Sequence, residues 1–341
     1  MKTSARICLI PQASNVGGPR SFQRKFAAGL QARGIEVCHD LGDTPYDAVL
    51  VVGGTRHLLG LRRAKKRGVP IIQRLDGMNW LHRRRRTGLR HFLKAEYGNR
   101  LLAFIRRHLA TGIVYQSQFV VDWWERSQNP APVPHRVIHN GVDLAYYSPK
   151  GPEERPVDRY RLLVVEGNLG GGYELGLRTA VELAERLHLY HNLPVELMVV
   201  GGVSAPLREG IKRQAQVPII WAGQVPAERI PSLDRSAHLL YSADLNAACP
   251  NAVIEALACG LPVLAFDTGA LPELVDAEAG RIVPYGGDPW RLQPPDLPAL
   301  AEAAIELFEG QARYRAGARR RAEAHFGLDV MVEGYLETLL G

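Results

Sequence analysis

Residues 247–265 read Ala-Ala-Cys-Pro-Asn-Ala-Val-Ile-Glu-Ala-Leu-Ala-Cys-Gly-Leu-Pro-Val-Leu-Ala and combine groups suited to holding a nucleotide. A polar loop containing Cys249 feeds a short helix with Pro250 near its first position, and Gly260 ends that helix before a buried strand from Pro262. The free N–H groups of the first turn, at Asn251 and Ala252, suit a diphosphate. Glu255 lies one turn further in, where a carboxylate accepts hydrogen bonds from a ribose diol. An exposed helical glutamate is the plainer alternative, but Ile254, Ala256, Leu257 and Ala258 around it predict partial burial. A second loop, Gln12 to Gly18, follows the first apolar run and precedes a helix expected to begin near Pro19 or Ser21. Its paired Gly17 and Gly18 let a phosphate or sugar approach the backbone, although the loop is neither GxGxxG nor a Walker A sequence and a purely structural turn is the alternative.

Elements of two kinds must position these loops. Apolar strand-length runs alternate with helix-length amphipathic segments throughout, the βαβ pattern of parallel sheets covered by helices. Strands are expected at 6–10, 48–52, 70–74 and 112–115, and again at 161–166, 195–200, 218–221, 238–241 and 262–266. Between the two sets, residues 150–158 are rich in Pro, Gly and charge and read as a linker, giving domains over 1–149 and 159–328. The tail is helical by period, and Met331, Tyr335 and Leu339 give its last helix, about 329–341, an apolar stripe to bury. In doubly wound sheets ligands bind beyond the carboxyl ends of the strands, so the chemistry is expected in the loops that follow them.

Composition narrows the class. A chain of 341 residues suits two cores of about 150 residues each. With 46% hydrophobic and 23% charged residues it is neither disordered nor fibrous. No run approaches the roughly 18 to 20 apolar residues of a spanning helix, and no secretion signal is apparent, so a cytoplasmic location is expected. Cys8, Cys38, Cys249 and Cys259 form no metal-ligand or disulfide spacing and read as reduced thiols, with no metal and no cofactor expected. The charge of +7 includes runs at 65–67, 83–86 and 319–321. Each run is plausible as a solvated helix face. Arg83 to Arg86, however, follow Trp80-Leu81 and suit an anionic membrane surface or acceptor. Positive charge without an aromatic platform or recognisable motif does not argue for nucleic acid.

The stretch from Pro250 to Val263 resembles the signature of family 4 retaining glycosyltransferases, which have the GT-B fold. The Gly17-Gly18 loop, Val137 to Asp143 with Pro149, Trp221 to Pro226, and Arg320 to Tyr335 are similar to further stretches of that family, in the same order. The resemblance implies an α/β protein with two Rossmann-like, doubly wound domains facing each other across a cleft, and a closing helix that returns to the N-terminal domain. It implies transfer of a sugar from a nucleotide sugar to a saccharide, lipid-linked or other glycoconjugate acceptor, with retention and without a metal. Catalysis would consist of stabilising the departing diphosphate while the acceptor hydroxyl attacks from the same face. By position, Glu255 would hold the ribose, Asp76 would meet the transferred sugar or acceptor, and Ser117 is a further acceptor-side residue, with Arg83 and Arg84 facing an anionic acceptor. As a plain reading, Asp76 is a turn aspartate before Gly77.

Three positions depart from the family. Its earlier glutamate falls on Ala247, and the Arg and Lys that neutralise the diphosphate are replaced by Asn168 and Tyr173. The backbone of Gly170, Gly171 and Gly172 offers a substitute cradle, and Arg20, Arg74 or Arg178 a substitute cation. The competing expectation is therefore a GT-B protein that binds a nucleotide sugar or glycan without transferring it. An NAD-dependent oxidoreductase ranks last, since no GxGxxG with a following acidic residue is present.

Overall fold

Apolar runs without alternation are buried on both faces of a parallel sheet. Ala48–Val52 and Ile71–Leu75 behave this way, every residue being buried. The computed structural model describes residues 5–12, 18–170 and 174–341. It divides into two compact units, Met1–Gly141 with Leu328–Gly341, and Val142–Gly327.

The first unit contains β1 (Arg6–Ile10), α1 (Gly18–Gln31), β2 (Glu36–Cys38), β3 (Ala48–Val52), α2 (Leu58–Lys66), β4 (Ile71–Leu75), α3 (Leu89–Phe104), β5 (Gly112–Tyr115), α4 (Gln118–Gln128) and β6 (His135–Val137). Its strands lie in the order β2-β1-β3-β4-β5-β6, every pair parallel. The second unit contains β7 (Tyr160–Asn168), α5 (Glu174–His191), β8 (Val195–Gly202), α6 (Ala205–Gln214), β9 (Ile219–Gly223), α7 (Ile230–Arg235), β10 (Leu239–Tyr241), α8 (Asn251–Ala258), β11 (Val263–Phe266), α9 (Leu271–Leu274), β12 (Gly280–Val283), α10 (Leu297–Glu309) and α11 (Gln311–His325). Its sheet is also parallel, in the order β12-β11-β10-β7-β8-β9. Two doubly wound α/β units of this kind make the GT-B architecture.

The last helix, α12 (Leu328–Leu340), belongs to the first unit, where Met331, Val332, Tyr335 and Leu339 share a core with Phe22 and Phe26 of α1. The Tyr335 ring lies 5.2 Å from that of Phe22, and Arg33 pairs with Asp329 and Glu333.

The units divide at Gly141/Val142, and the stretch read as a linker, 150–158, lies inside the second unit. Tyr147 is in the second core, the Arg319 guanidinium donates to the carbonyls of Leu144 and Tyr147, and Glu153 pairs with Arg235 at 2.8 Å. Polar composition there reflects partnered surface chain. The strands β2, β6 and β12, absent from the sequence reading, each sit at a sheet edge and have three or four residues.

Candidate functional site

Where successive strands of a parallel sheet depart in opposite directions, a crevice opens beyond their carboxyl ends. In the second unit this point lies between β7 and β10, because the chain runs outward from β7 through β8 and β9, then returns to β10 and continues through β11 and β12. Leu163 of β7 pairs with Leu240 of β10, and Glu166 and Asp244 follow at the carboxyl ends of these neighbours. Burial, and then the charge of Asp244, push the Glu166 carboxyl up to about 8. Burial pushes Asp244 up to about 7. Both carboxyls are thus raised toward neutral pH.

Glycines bring the surrounding backbone in. A Cβ on Gly176, in the first turn of α5, would lie 1.9 Å from the Ala243 carbonyl oxygen. One on Gly201, at φ 140°, would lie 2.1 Å from the Glu166 carbonyl oxygen. The loops after β7 and β9 are tied together, the Gln224 side-chain amide donating to the Gly167 carbonyl at 3.1 Å. Asn168 turns back on its own loop, its Oδ1 accepting from the Gly170 N–H at 3.1 Å. Gly171 and Tyr173, like Gly17, lie outside the described residues.

The helix α8 presents its first turn to the same end of the sheet. Pro250 is its N-cap at φ −69°, Cys249 before it is buried, and Asn251 and Ala252 are half-buried. Glu255 is 9% exposed, which agrees with the burial its apolar neighbours require. Its charge is felt by Asp234 of α7 and by Tyr147. Asp234 is wholly buried, and burial and then Glu255 hold its carboxyl well above the usual range, with the Cys259 thiol opposing the shift. Much of Glu255 thus belongs to an acidic group under α8. Ala247 is also buried, and its carbonyl accepts from Ala270 N–H at 2.8 Å.

In the first unit Asp76 follows β4. Burial raises its carboxyl and the neighbouring Arg74 guanidinium opposes the shift. The Asp76 carbonyl accepts from Trp124 Nε1 at 2.8 Å, and Gly77 lies where a Cβ would meet the Trp123 ring at 2.1 Å. Arg74 is held in this unit, donating to Asn140 Oδ1 at 2.8 Å with its guanidinium 4.0 Å from the Phe22 ring centre. That fixes it beside Asp76. Ser117 is wholly buried, and its Oγ accepts from Val120 N–H as the cap of α4. Gly18 opens α1 and is exposed. Arg83 is exposed and grips Glu96 through two bonds of 2.6 and 2.9 Å, and Arg84 is exposed. A cavity of about 580 Å³ beside Arg83 is lined by Asn79, Trp80, Arg100 and Trp123 among others.

Glu166 and Asp244 escaped the sequence reading. Their signal was local: a carboxylate that ends the apolar run Leu162-Leu163-Val164-Val165, and another just past Leu239 to Tyr241.

No curated protein matches this chain in sequence. Among solved structures, sucrose-phosphate synthase from Thermosynechococcus elongatus superposes with a TM-score of 0.73 at 16% identity, over 98% of each chain. WaaG, a glycosyltransferase involved in lipopolysaccharide biosynthesis, gives 0.71 at 15% identity, over 98% of this chain and 100% of its own. Anabaena HepE in complex with UDP-glucose gives 0.67 at 18% identity, over 98% and 99%. The family described as Glycosyl transferases group 1 matches residues 161–310, the span from β7 to the end of α10. Residues 161–310 of this chain are thus similar to the glycosyl transferases group 1, and the whole chain shares the GT-B fold of these structures.

Proposed function

We propose that this protein transfers a sugar from a nucleotide sugar to a saccharide or lipid-linked acceptor with retention of anomeric configuration, and that the second unit holds the donor. The observation carrying this reading is the convergence, beyond the crossover of β7 and β10, of the Gly201–Gly202 backbone, the loop at Gly170 and the first turn of α8. Backbone N–H groups at a helix start stabilise the charge of a departing diphosphate. In this reading Asn251 and Ala252 face the diphosphate, the exposed edge of Glu255 meets the ribose, and Asp76 serves the acceptor side. UDP-glucose is the first donor to try, because HepE binds it.

A specific observation favours a second reading, binding without transfer. Asn168 and Tyr173 replace two cations, and Glu166 and Asp244 place acid where the diphosphate would lie. A dianionic donor binds beside such a pair when the pair is protonated, so donor affinity should rise as pH falls from about 8.5 to 6. Calorimetry of UDP-glucose binding across that range, with assay of UDP release in the presence of glycan acceptors, separates the readings. Binding with release carries the transferase. Binding with no release from any acceptor carries the second reading, and no binding of any nucleotide sugar removes both.

A further inference from the structure

Successive right-handed crossovers that run the same way along a parallel sheet place their helices side by side on one face. The strand order β3-β4-β5-β6 does this for α3 and α4. The cavity of about 580 Å³ is lined by both helices and by the loop after β4, all within the first unit. The end of α3 departs from an ordinary helix, because Ile105–Leu109 continues it as a π-helix, a form that recurs at functional sites. Arg106, in this turn, is 2% exposed and still lines the cavity. The loop and the helix are tied together, Asn99 accepting from the Asn79 N–H at 2.9 Å and donating to its carbonyl at 2.8 Å.

Four arginines line this cavity, Arg83, Arg100, Arg106 and Arg107, against a single acid, Glu96. Glu96 is already occupied by Arg83 and His82, at 2.6 and 2.8 Å, and these partners hold its carboxyl down at about 2. Arg100 and Arg107 are exposed and form no ion pair among the described residues. The buried Arg106 guanidinium is met by neutral oxygens: Nε donates to the Tyr115 hydroxyl at 2.7 Å and Nη2 to the Asn129 carbonyl at 2.9 Å. Glu125 of α4 acts on Tyr115 through space but forms no ion pair with Arg106 among the described residues. A buried guanidinium without a carboxylate is an uncompensated charge, and an anion beside it offsets that cost. Asn129 presents its carbonyl to Arg106 from φ 61° and ψ 167°, a backbone region nearly confined to glycine, so this arrangement is held against local strain.

We propose that this cavity binds a phosphorylated saccharide, its phosphate among Arg100, Arg106 and Arg107 and its sugar rings against Trp80 and Trp123. Guanidinium groups suit phosphate oxygens through charge-assisted bonds. Indoles offer flat apolar surface to the C–H face of a sugar, and the side-chain amides of Asn79 and Gln128 and the Ser127 hydroxyl suit its hydroxyls. The volume falls within the roughly 300–1,000 Å³ of small-molecule sites. This site lies in the first unit, apart from the donor crevice of the second, and does not depend on whether a sugar is transferred.

The test is calorimetric titration of the full chain with trehalose 6-phosphate, trehalose and inorganic phosphate, at low and physiological salt. Trehalose 6-phosphate should bind roughly tenfold or more tightly than either of the others, and more weakly as salt rises. The variant Arg100→Ser/Arg107→Ser changes exposed side chains only, so its thermal melt should match the parent while affinity for trehalose 6-phosphate falls about tenfold or more. The variant Ser127→Ala/Gln128→Ala, also confined to exposed side chains, should weaken trehalose 6-phosphate about threefold or more and leave inorganic phosphate unchanged. Failure of the parent to bind trehalose 6-phosphate, or unchanged affinity in either variant, overturns the proposal. Equal affinity for inorganic phosphate would reduce the cavity to an anion site, equal affinity for trehalose to a neutral sugar site, and each overturns it as well.

Discussion

Asp76 and Glu166 occupy comparable places in the two units, each at the carboxyl end of a buried parallel strand. Their surroundings are opposite. Asp76 has the Arg74 guanidinium beside it, itself anchored by Asn140 and Phe22, so burial and a cation oppose each other. Glu166 has a second carboxylate, Asp244, so burial and charge act in the same direction. Burial raises both carboxyls, but a cation works against the shift at Asp76 and a second acid adds to it at Glu166.

The comparison extends to how each site is closed. Gly176 and Gly77 both admit a helix onto a strand-end loop, but Gly176 approaches a fixed carbonyl while Gly77 approaches the Trp123 side chain. Backbone yields less than an indole. Gly176→Ala should cost about 2–4 kcal/mol and Gly77→Ala about 1–3 kcal/mol, and denaturant melts giving the reverse order would break the comparison. Supplying the missing cations is the next largest effect: Asn168→Arg with Tyr173→Lys should tighten UDP-glucose by about tenfold or more, as charge-assisted bonds to phosphate replace neutral ones. Unchanged affinity would place the diphosphate elsewhere.

The acidic pair makes a pH-dependent contribution. With pKa values raised to about 8 and about 7, the folded chain binds more protons than the unfolded one from about pH 4 upward. The stability from this pair is thus fully present below about pH 4 and is lost as pH rises through 7 to 8. Glu166→Gln with Asp244→Asn should flatten that decline, read as Tm against pH between 5 and 8.5. An identical slope in the double variant would show that folding does not raise these two carboxyls. Smaller again, Ser117→Ala should cost about 1 kcal/mol as a lost cap and leave the KM for acceptor unchanged. EDTA is expected to leave donor binding unaltered, whereas a loss on chelation would assign a cation to the Glu166–Asp244 pair.

How far the residues spoke for themselves differed by element. Ala48–Val52 and Gly112–Tyr115 were legible to the residue because central strands are apolar on both faces. Glu36–Cys38 and His135–Val137 were not, because an edge strand is paired on one side only, and the three residues of the latter are all exposed. The helix from Asn251 carried its own start and stop in Pro250 and Gly260, and so did the burial of Glu255. What lies against Glu255 did not show, because Asp234 and Tyr147 come from distant segments.

The sequence by itself determined two parallel α/β units and a stretch, Pro250 to Val263, that resembles a glycosyltransferase signature. These are local properties, written in apolar runs, caps and spacings within a few residues. Tertiary structure alone decided that Glu166 meets Asp244, that Arg74 is committed to Asn140 and Phe22, and that Ser117 is a buried cap. Charge coupling and burial depend on distance in space, and strand order brings together residues that the chain keeps far apart.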